Sequence, residues 1–347
     1  MTTIIAIGDV HIKTNNIPEV DLLIERLLKL INEKPPEIIV VLGDLLHTHE
    51  RLHTTALNKA YELIEKLRSI APTYVLVGNH DMTNNQQFLT QNHWLSAMKE
   101  WHNVTIVDKI ENLKLNEHFF VFCPYVPNGR FEEALNTCEE DWKDASVIFA
   151  HQEFRGCKMG AIQSIDGDAW LNTYPNVISG HIHSRQQPQE NIYYTGSAIQ
   201  HAFGESKKNI IAILTFQGDK QYELEEIDLK LPRKRIIYTN VEDMETYEEP
   251  ETNDKIKITI SGQYDQFKAF KKTKRYKELI KKGTKVVFKP KKIESNKKHD
   301  PEVEKETDFK LILSTLINGE KNPYLCQVYE LIINNKQISE DDVFFLS

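Results

Sequence analysis

No run of about 18 apolar residues occurs in this chain of 347, so no membrane-spanning helix is expected. Its first residues, Met1 to Asp9, lack the basic stretch that opens a secretory leader. Cysteine is scarce: Cys123, Cys138, Cys157 and Cys326 are scattered and form no CxxC pair. That excludes a disulfide framework and points to reduced thiols in the cytoplasm, near the nucleoid in a bacterium or in the host cytoplasm if the chain is viral. Internal repeats are missing as well, and only one lysine-rich block is compositionally biased. What is left is enough chain for one large domain and a smaller one.

The net charge of −8 hides an asymmetry. Residues 255–298 hold sixteen Lys/Arg against three acidic residues, a net of +13, so the remainder sums to −21. Just before that block, Thr239 to Asp254 has seven acidic residues and no basic one. A break this abrupt places a domain boundary near residues 230–254. The block reads either as a footprint for a phosphate backbone, with Lys271, Lys272, Lys281 and Lys282 as candidate contacts, or as a solvated face.

What is present in the first half is a series of short segments rich in metal-binding side chains, each following a β-branched, apolar run. They are Gly8-Asp9-Val10-His11, Gly43-Asp44-Leu45-Leu46-His47, Gly78-Asn79-His80-Asp81, Ala150-His151 and Gly180-His181-Ile182-His183. The preceding runs, Ile4 to Ile7, Ile38 to Leu42, Tyr74 to Val77, Val147 to Phe149 and Val177 to Ile178, read as buried strands. Helical spacing recurs over Val20 to Ile31 and Ala56 to Leu67, and a further helix is expected over Gln86 to Trp101. Shorter strands follow near Val104, Leu113, Phe119, Asn191 and Ile210. The expected fold is α/β, a two-sheet sandwich flanked by helices over residues 1–230, with its site at the carboxyl ends of the strands.

Carboxylate and amide oxygens mixed with imidazoles suit Mn²⁺, Fe²⁺ or Zn²⁺, and no cysteine joins the set. Two ions need a shared ligand, and Asp44 is the candidate. Asp9, His11 and His183 would complete one ion, and Asn79, His151 and His181 the other. A pair of ions about 3.5–4 Å apart supports in-line attack on a phosphoryl centre.

The order DxH, GDxxH, GNHD, lone His and GHxH resembles the calcineurin-like metallophosphoesterases, whose ligand pattern these assignments follow. The GDLLH form, together with Tyr194-Thr195-Gly196-Ser197-Ala198 and Phe203-Gly204-Glu205, is similar to the SbcD branch related to meiotic recombination 11, with Ala198 where proline is usual. The likeness covers residues 1 to about 215. It implies that His80 protonates the leaving oxygen. Asp81 is expected to orient His80 or a ligand without binding metal. His47 either contacts the scissile phosphate or is structural. His49, His53, His93, His102, His118, His201 and His299 have no motif context and are read as surface or packing residues. The loop Gly156 to Trp170 is expected near the site, and Phe154, Trp170 and Tyr174 either stack on bases or pack in the core.

Beyond residue 230 strands are expected at Lys257 to Ser261 and Lys285 to Lys289, with a helix over Gln266 to Lys282 between them, as a capping domain over 231–292. Residues 293–347 read as a charged linker and two short helices, with Phe309, Leu311, Ile312, Leu316, Ile317, Tyr324, Val328, Tyr329, Leu331 and Ile332 as their apolar positions. The resemblance implies that these helices dock on the coiled coil of an SbcC-type ATPase, and it leaves a homodimer open. The function expected is two-ion hydrolysis of phosphodiesters in DNA, which by the resemblance would be manganese-dependent exonuclease and single-strand endonuclease activity. Two rivals are a phosphoesterase for a small phosphoester or phosphoprotein and a non-catalytic scaffold. A scaffold would have lost ligands, and all seven are present.

Overall fold

The computed structural model describes residues 1–49, 51–218, 221–291, 313–317, 319, 320, 325 and 329. The chain divides into two units, Met1–Pro290 and Lys291–Ser347. In the second unit residues 313–317 are helical. Phe309, Leu311, Ile312, Tyr324, Val328, Leu331, Ile332 and nearly all of the expected linker lie outside the described residues.

The first unit begins with β1 (Thr2–Ile7), α1 (Ile17–Glu33), β2 (Ile38–Val41), α2 (Thr54–Arg68), β3 (Thr73–Leu76) and β4 (Val104–Val107). β5 (Glu111–Leu115), β6 (His118–Cys123), α3 (Phe131–Leu135) and β7 (Val147–Ala150) follow. Then come β8 (Lys158–Met159), β9 (Ile162–Gln163), β10 (Asn176–Ser179), β11 (Gln186–Gln189), β12 (Ile192–Tyr194), β13 (Ile211–Phe216) and β14 (Tyr222–Ile227). Two six-stranded sheets result, in the orders β14-β13-β1-β2-β3-β4 and β11-β12-β10-β7-β6-β5. Within them β1 to β4 are mutually parallel, as are β6, β7, β10 and β12, so the motif-bearing strand ends of each sheet fall on one edge.

The core between the sheets explains the continuous apolar runs, because strands covered on both faces have no polar side. Ile4, Ala6, Val40 and Leu76 of one sheet meet Phe120, Phe122, Phe149 and Ile178 of the other, all fully buried. Val20, Leu23, Leu27 and Ile31 of α1, with Ala60, Leu63, Ile64 and Leu67 of α2, cover the outer face of the first sheet. Each large apolar side chain so buried contributes about 1.5–3 kcal/mol. The outer face of the second sheet is closed by Phe131, Trp142, Phe154 and Trp170, and Tyr174 packs edge-on against Trp142. Phe154, Trp170 and Tyr174 are therefore spent on packing, and the base-stacking role open to them is excluded for the two buried ones.

The helix expected over Gln86 to Trp101 is reduced to one 3₁₀ turn, Trp94–Met98. Side chains there take over the backbone: Asn84 accepts from Gln86 N, Thr90 from Asn92 N, and Leu89 sits at φ 43°. Such local bonds compete with a helical ladder.

Last come β15 (Lys234–Asn240), β16 (Lys255–Gly262), α4 (Tyr264–Phe270), α5 (Lys274–Lys281) and β17 (Lys285–Pro290), with the strands parallel in the order β15-β16-β17. The helix expected over Gln266 to Lys282 is broken, because the Thr273 side chain accepts from Tyr276 N and starts α5 afresh. Ile256, Ile258, Ile260, Phe267, Phe270 and Leu279 give this sheet its own small core. It also grips the segment after β12: Lys234 N donates to Gln200 Oε1 at 2.7 Å, and Lys257 Nζ lies 5.9 Å over the Phe203 ring. Lys271, Lys272, Lys281 and Lys282 are exposed; Lys271 covers the Phe267 ring and Lys282 pairs with Glu249 at 3.5 Å.

Candidate metal centre

Parallel strands of both sheets end on the same side, and the segments leaving them converge. β1 delivers Asp9 and His11, β2 Asp44, β3 Asn79, β7 His151, and β10 His181 and His183. The backbone is forced to hold them there. His11, Asp44 and His181 have φ of 44°, 51° and 76°, left-handed values that side chains with a Cβ rarely adopt. Glycine permits the close approach: a Cβ on Gly78 would lie 2.2 Å from Asp44 Oδ1, and one on Gly43 2.5 Å from His151 Nδ1.

Asp44 is central. Its Oδ2 lies 3.4 Å from His11 Nε2 and 3.4 Å from His151 Nε2, between the two ligand groups, while Oδ1 accepts from His80 N at 2.8 Å. His11 Nε2 and His183 Nε2 are 3.0 Å apart on one side. On the other, Asn79 Oδ1 is 3.1 Å from His151 Nε2 and 2.9 Å from His181 Nδ1. Asp9 Oδ1 accepts from His181 N at 2.9 Å, but its buried Oδ2 has no hydrogen-bond partner. The structure thus brings all seven sequence-derived ligands together.

Protons do not satisfy this cluster well. Burial raises Asp9 to about 6, opposed by His151 and reinforced by the Asp44 charge. Burial also works against the Asp44 carboxylate, yet His151 and His11 hold it well below the usual range. Burial disfavours charge on His151, but Asp44 and Asp9 raise it to about 9, and that charge adds to burial in taking His181 down to about 3. Packed imidazole nitrogens, an orphaned carboxylate oxygen and a shared central carboxylate fit divalent cations. Asp9, His11, Asp44 and His183 would hold one, and Asp44, Asn79, His151 and His181 the other.

Around this centre, His80 Nδ1–H donates to His47 O at 2.8 Å, which leaves Nε2 as the bare nitrogen of the neutral ring. Burial lowers the His80 pKa, with Asp44 acting in the opposite direction. His47 keeps much of its surface in solvent, but its Nδ1 lies 3.4 Å from His11 Nδ1, and the partial burial of that inner edge, with Lys13 nearby, brings it to about 4. Asp81 does not orient His80. Its carboxylate accepts from Gly78 N, Leu45 N, Leu46 N and Trp94 Nε1 at 3.1, 3.4, 3.3 and 2.9 Å, and so ties the Asp44 segment to the Asn79 segment.

Four residues that sequence reading missed also border the centre. His49 stacks on His80 with ring centroids 4.6 Å apart, and His201 lies 4.8 Å from the His11 ring, so the packing of both is against residues of the centre. Glu205 Oε1 is 3.5 Å from His183 Nδ1, and Tyr125 leans on His181 at 5.6 Å. For His201 and Glu205 a signal existed, since both lie in or beside the Tyr194 to Glu205 segment. His53 instead caps α2, His93 bonds Asp108 at 3.0 Å, and His118 is buried.

The model of the calcineurin-like phosphoesterase family matches residues 2–185. The "Putative phosphoesterase 244L" of Invertebrate iridescent virus 6 is 50% identical over 277 residues, covering 78% of this chain and 98% of that protein. The "Putative phosphoesterase 078R" of Invertebrate iridescent virus 3 is 48% identical over 293 residues, 83% of this chain and 84% of that one. The chain belongs to the calcineurin-like phosphoesterase family, whose chemistry is metal-dependent hydrolysis of phosphoesters. Among solved structures, purple acid phosphatase PPD1 of yellow lupin is 11% identical, with 66% of this chain and 51% of that one covered and a TM-score of 0.45, too distant to carry an argument.

Proposed function

We propose that this phosphoesterase is a two-ion phosphodiesterase acting on DNA, with manganese as its preferred metal and an SbcD-like nuclease role. The observation that carries the reading is an open cleft of about 1010 Å³ that begins at His181 and His183 and continues past Lys158, Arg185 and Phe203. An open cleft that sets Lys158 and Arg185 beside the ligands suits a phosphate chain, with Glu205 as its acidic lining residue and Arg185 also paired with Glu226 at 2.5 Å.

When bound, the ions polarise the phosphoryl oxygens and activate water for in-line displacement. The residues of the chain do the rest. Asp44 holds both halves of the centre in register, and Asp81 keeps the two loops together. His80, its ring fixed by the His47 carbonyl, would stand on the leaving side. An arriving phosphate anion favours the protonated ring, which then gives its Nε2 proton to the departing sugar oxygen.

The test is hydrolysis of labelled single- and double-stranded DNA with Mn²⁺, beside nitrophenyl esters of phosphate as mono- and diester. Cleavage of DNA and of the diester is expected. Rapid turnover of the monoester with intact DNA would instead support the small-phosphoester reading.

The proposed partner is an SbcC-type coiled-coil ATPase docked on the tail beyond Lys291. Co-purification with full-length and truncated chains decides it: equal recovery of the ATPase by both would refute this docking.

A further inference from the structure

Three histidines at the centre share one arrangement. In each, one ring nitrogen is anchored on a neighbouring oxygen, and in the first two the other nitrogen faces the cluster. His151 Nδ1–H donates to Leu42 O at 2.6 Å and turns Nε2 to Asp44 and Asn79. His183 has Nδ1 3.5 Å from Glu205 Oε1 and Nε2 3.0 Å from His11 Nε2. The third is His201, which none of the seven-ligand assignments includes. Its Nε2–H donates to the backbone carbonyl of Asp9 at 3.0 Å. A ring that donates from Nε2 carries a lone pair on Nδ1 in its neutral form. That Nδ1 is buried and has no hydrogen-bond partner.

We infer that His201 is a further donor to the ion held by Asp9, His11 and His183, offering Nδ1 while its Nε2–H stays anchored on the Asp9 carbonyl. Ligand nitrogens of His11, His183 and His201 lie within 4.8 Å of one another. The His201 ring centroid is 5.0 Å from that of His183 and 4.8 Å from that of His11. Metal–nitrogen bonds of about 2.0–2.1 Å keep two donors to one ion within roughly 4.2 Å, so the rings must draw together for His201 Nδ1 to join His11 and His183 on one ion. Anchoring one imidazole nitrogen on a carbonyl is the usual way to fix tautomer and direction in metal-bound histidines.

The segment bearing His201 is held for this purpose. Glu205 Oε2 accepts from the backbone N–H of His201 and of Ala202, each at 2.8 Å, while its other oxygen faces His183. From outside, Lys234 bonds Gln200 through both its backbone N–H and its side chain. The small parallel sheet thereby sets the position of a donor to the centre. The inference rests on the metal centre and not on DNA as substrate.

The experiment titrates the metal-free full chain with Mn²⁺, reading free ion by electron paramagnetic resonance, for the parent, His201→Gln and His201→Ala. Glutamine keeps an N–H able to reach the Asp9 carbonyl but lacks the second ring nitrogen, and thermal melting of the metal-free chains checks folding. Two ions are expected in the parent, and both variants should bind one of them roughly 10–100-fold more weakly. With Co²⁺, the visible band of that site should shift in His201→Gln. Parent-like affinity and an unchanged band in His201→Gln would overturn the inference while leaving the two-ion centre intact. Absence of tight binding in the parent would overturn both.

Discussion

At the scale of single residues, the centre is assembled from donors that would repel or orphan one another without cations. His11, Asp44 and His181 hold left-handed backbone angles, and Asp9 leaves a buried oxygen unpaired. Such strain persists only where the surroundings over-determine it, here through Asp81 and the glycine contacts. His80 is the residue whose chemistry separates most cleanly from coordination. His80→Ala should keep both ions and slow DNA hydrolysis by about 10²–10⁴, with a smaller loss for a nitrophenyl diester whose leaving group needs no proton. Metal content falling in step with activity would make His80 a ligand. The seven ligands were legible because each follows an apolar run in a short motif. His49 was not, since its place depends on rings brought together from distant segments; His201 lies in the recognised Tyr194 to Glu205 segment, but its bond to Asp9 joins residues 192 positions apart and no motif announces it.

At the scale of elements, β-branched runs read correctly as strands because burial on both faces leaves no other use for such residues. Spacing alone misjudged two helices. Around Gln86, polar side chains captured backbone N–H groups, and at Thr273 a capping hydroxyl split one expected helix into α4 and α5. Neither effect alters hydrophobic periodicity, which is why it escaped. The packing between sheets is testable at Phe122, fully buried, stacked on Tyr74 with centroids 4.2 Å apart and on Phe149 at 5.4 Å. Phe122→Ala should cost about 3–5 kcal/mol in urea unfolding. A loss below about 1 kcal/mol, far under the cost of a core cavity, would mean that the sheets do not meet there.

At the scale of the molecule, the charge asymmetry now has a location. The lysines of residues 255–290 belong to the small sheet and its helices, which touch the Gln200 to Glu205 segment through Lys234 and Lys257. If Lys271, Lys272, Lys281 and Lys282 follow a phosphate backbone, replacing all four by Gln should flatten the salt dependence of DNA affinity by several contacts' worth, each changing the log–log slope by about 0.7–0.9. Hydrolysis of a small diester should not change. An unaltered slope would return the block to a solvated face.

The central claim is that the donors gathered around Asp44 bind two ions that hydrolyse phosphodiesters. The direct measurement is Mn²⁺ bound per chain alongside DNA cleavage, for the parent and for Asp44→Ala, with folding verified in each. The account predicts two ions and cleavage in the parent, and weakened binding at both sites with no cleavage once the shared carboxylate is gone. Two tightly bound ions in folded Asp44→Ala, or a fully loaded parent that leaves every phosphodiester intact, would contradict it.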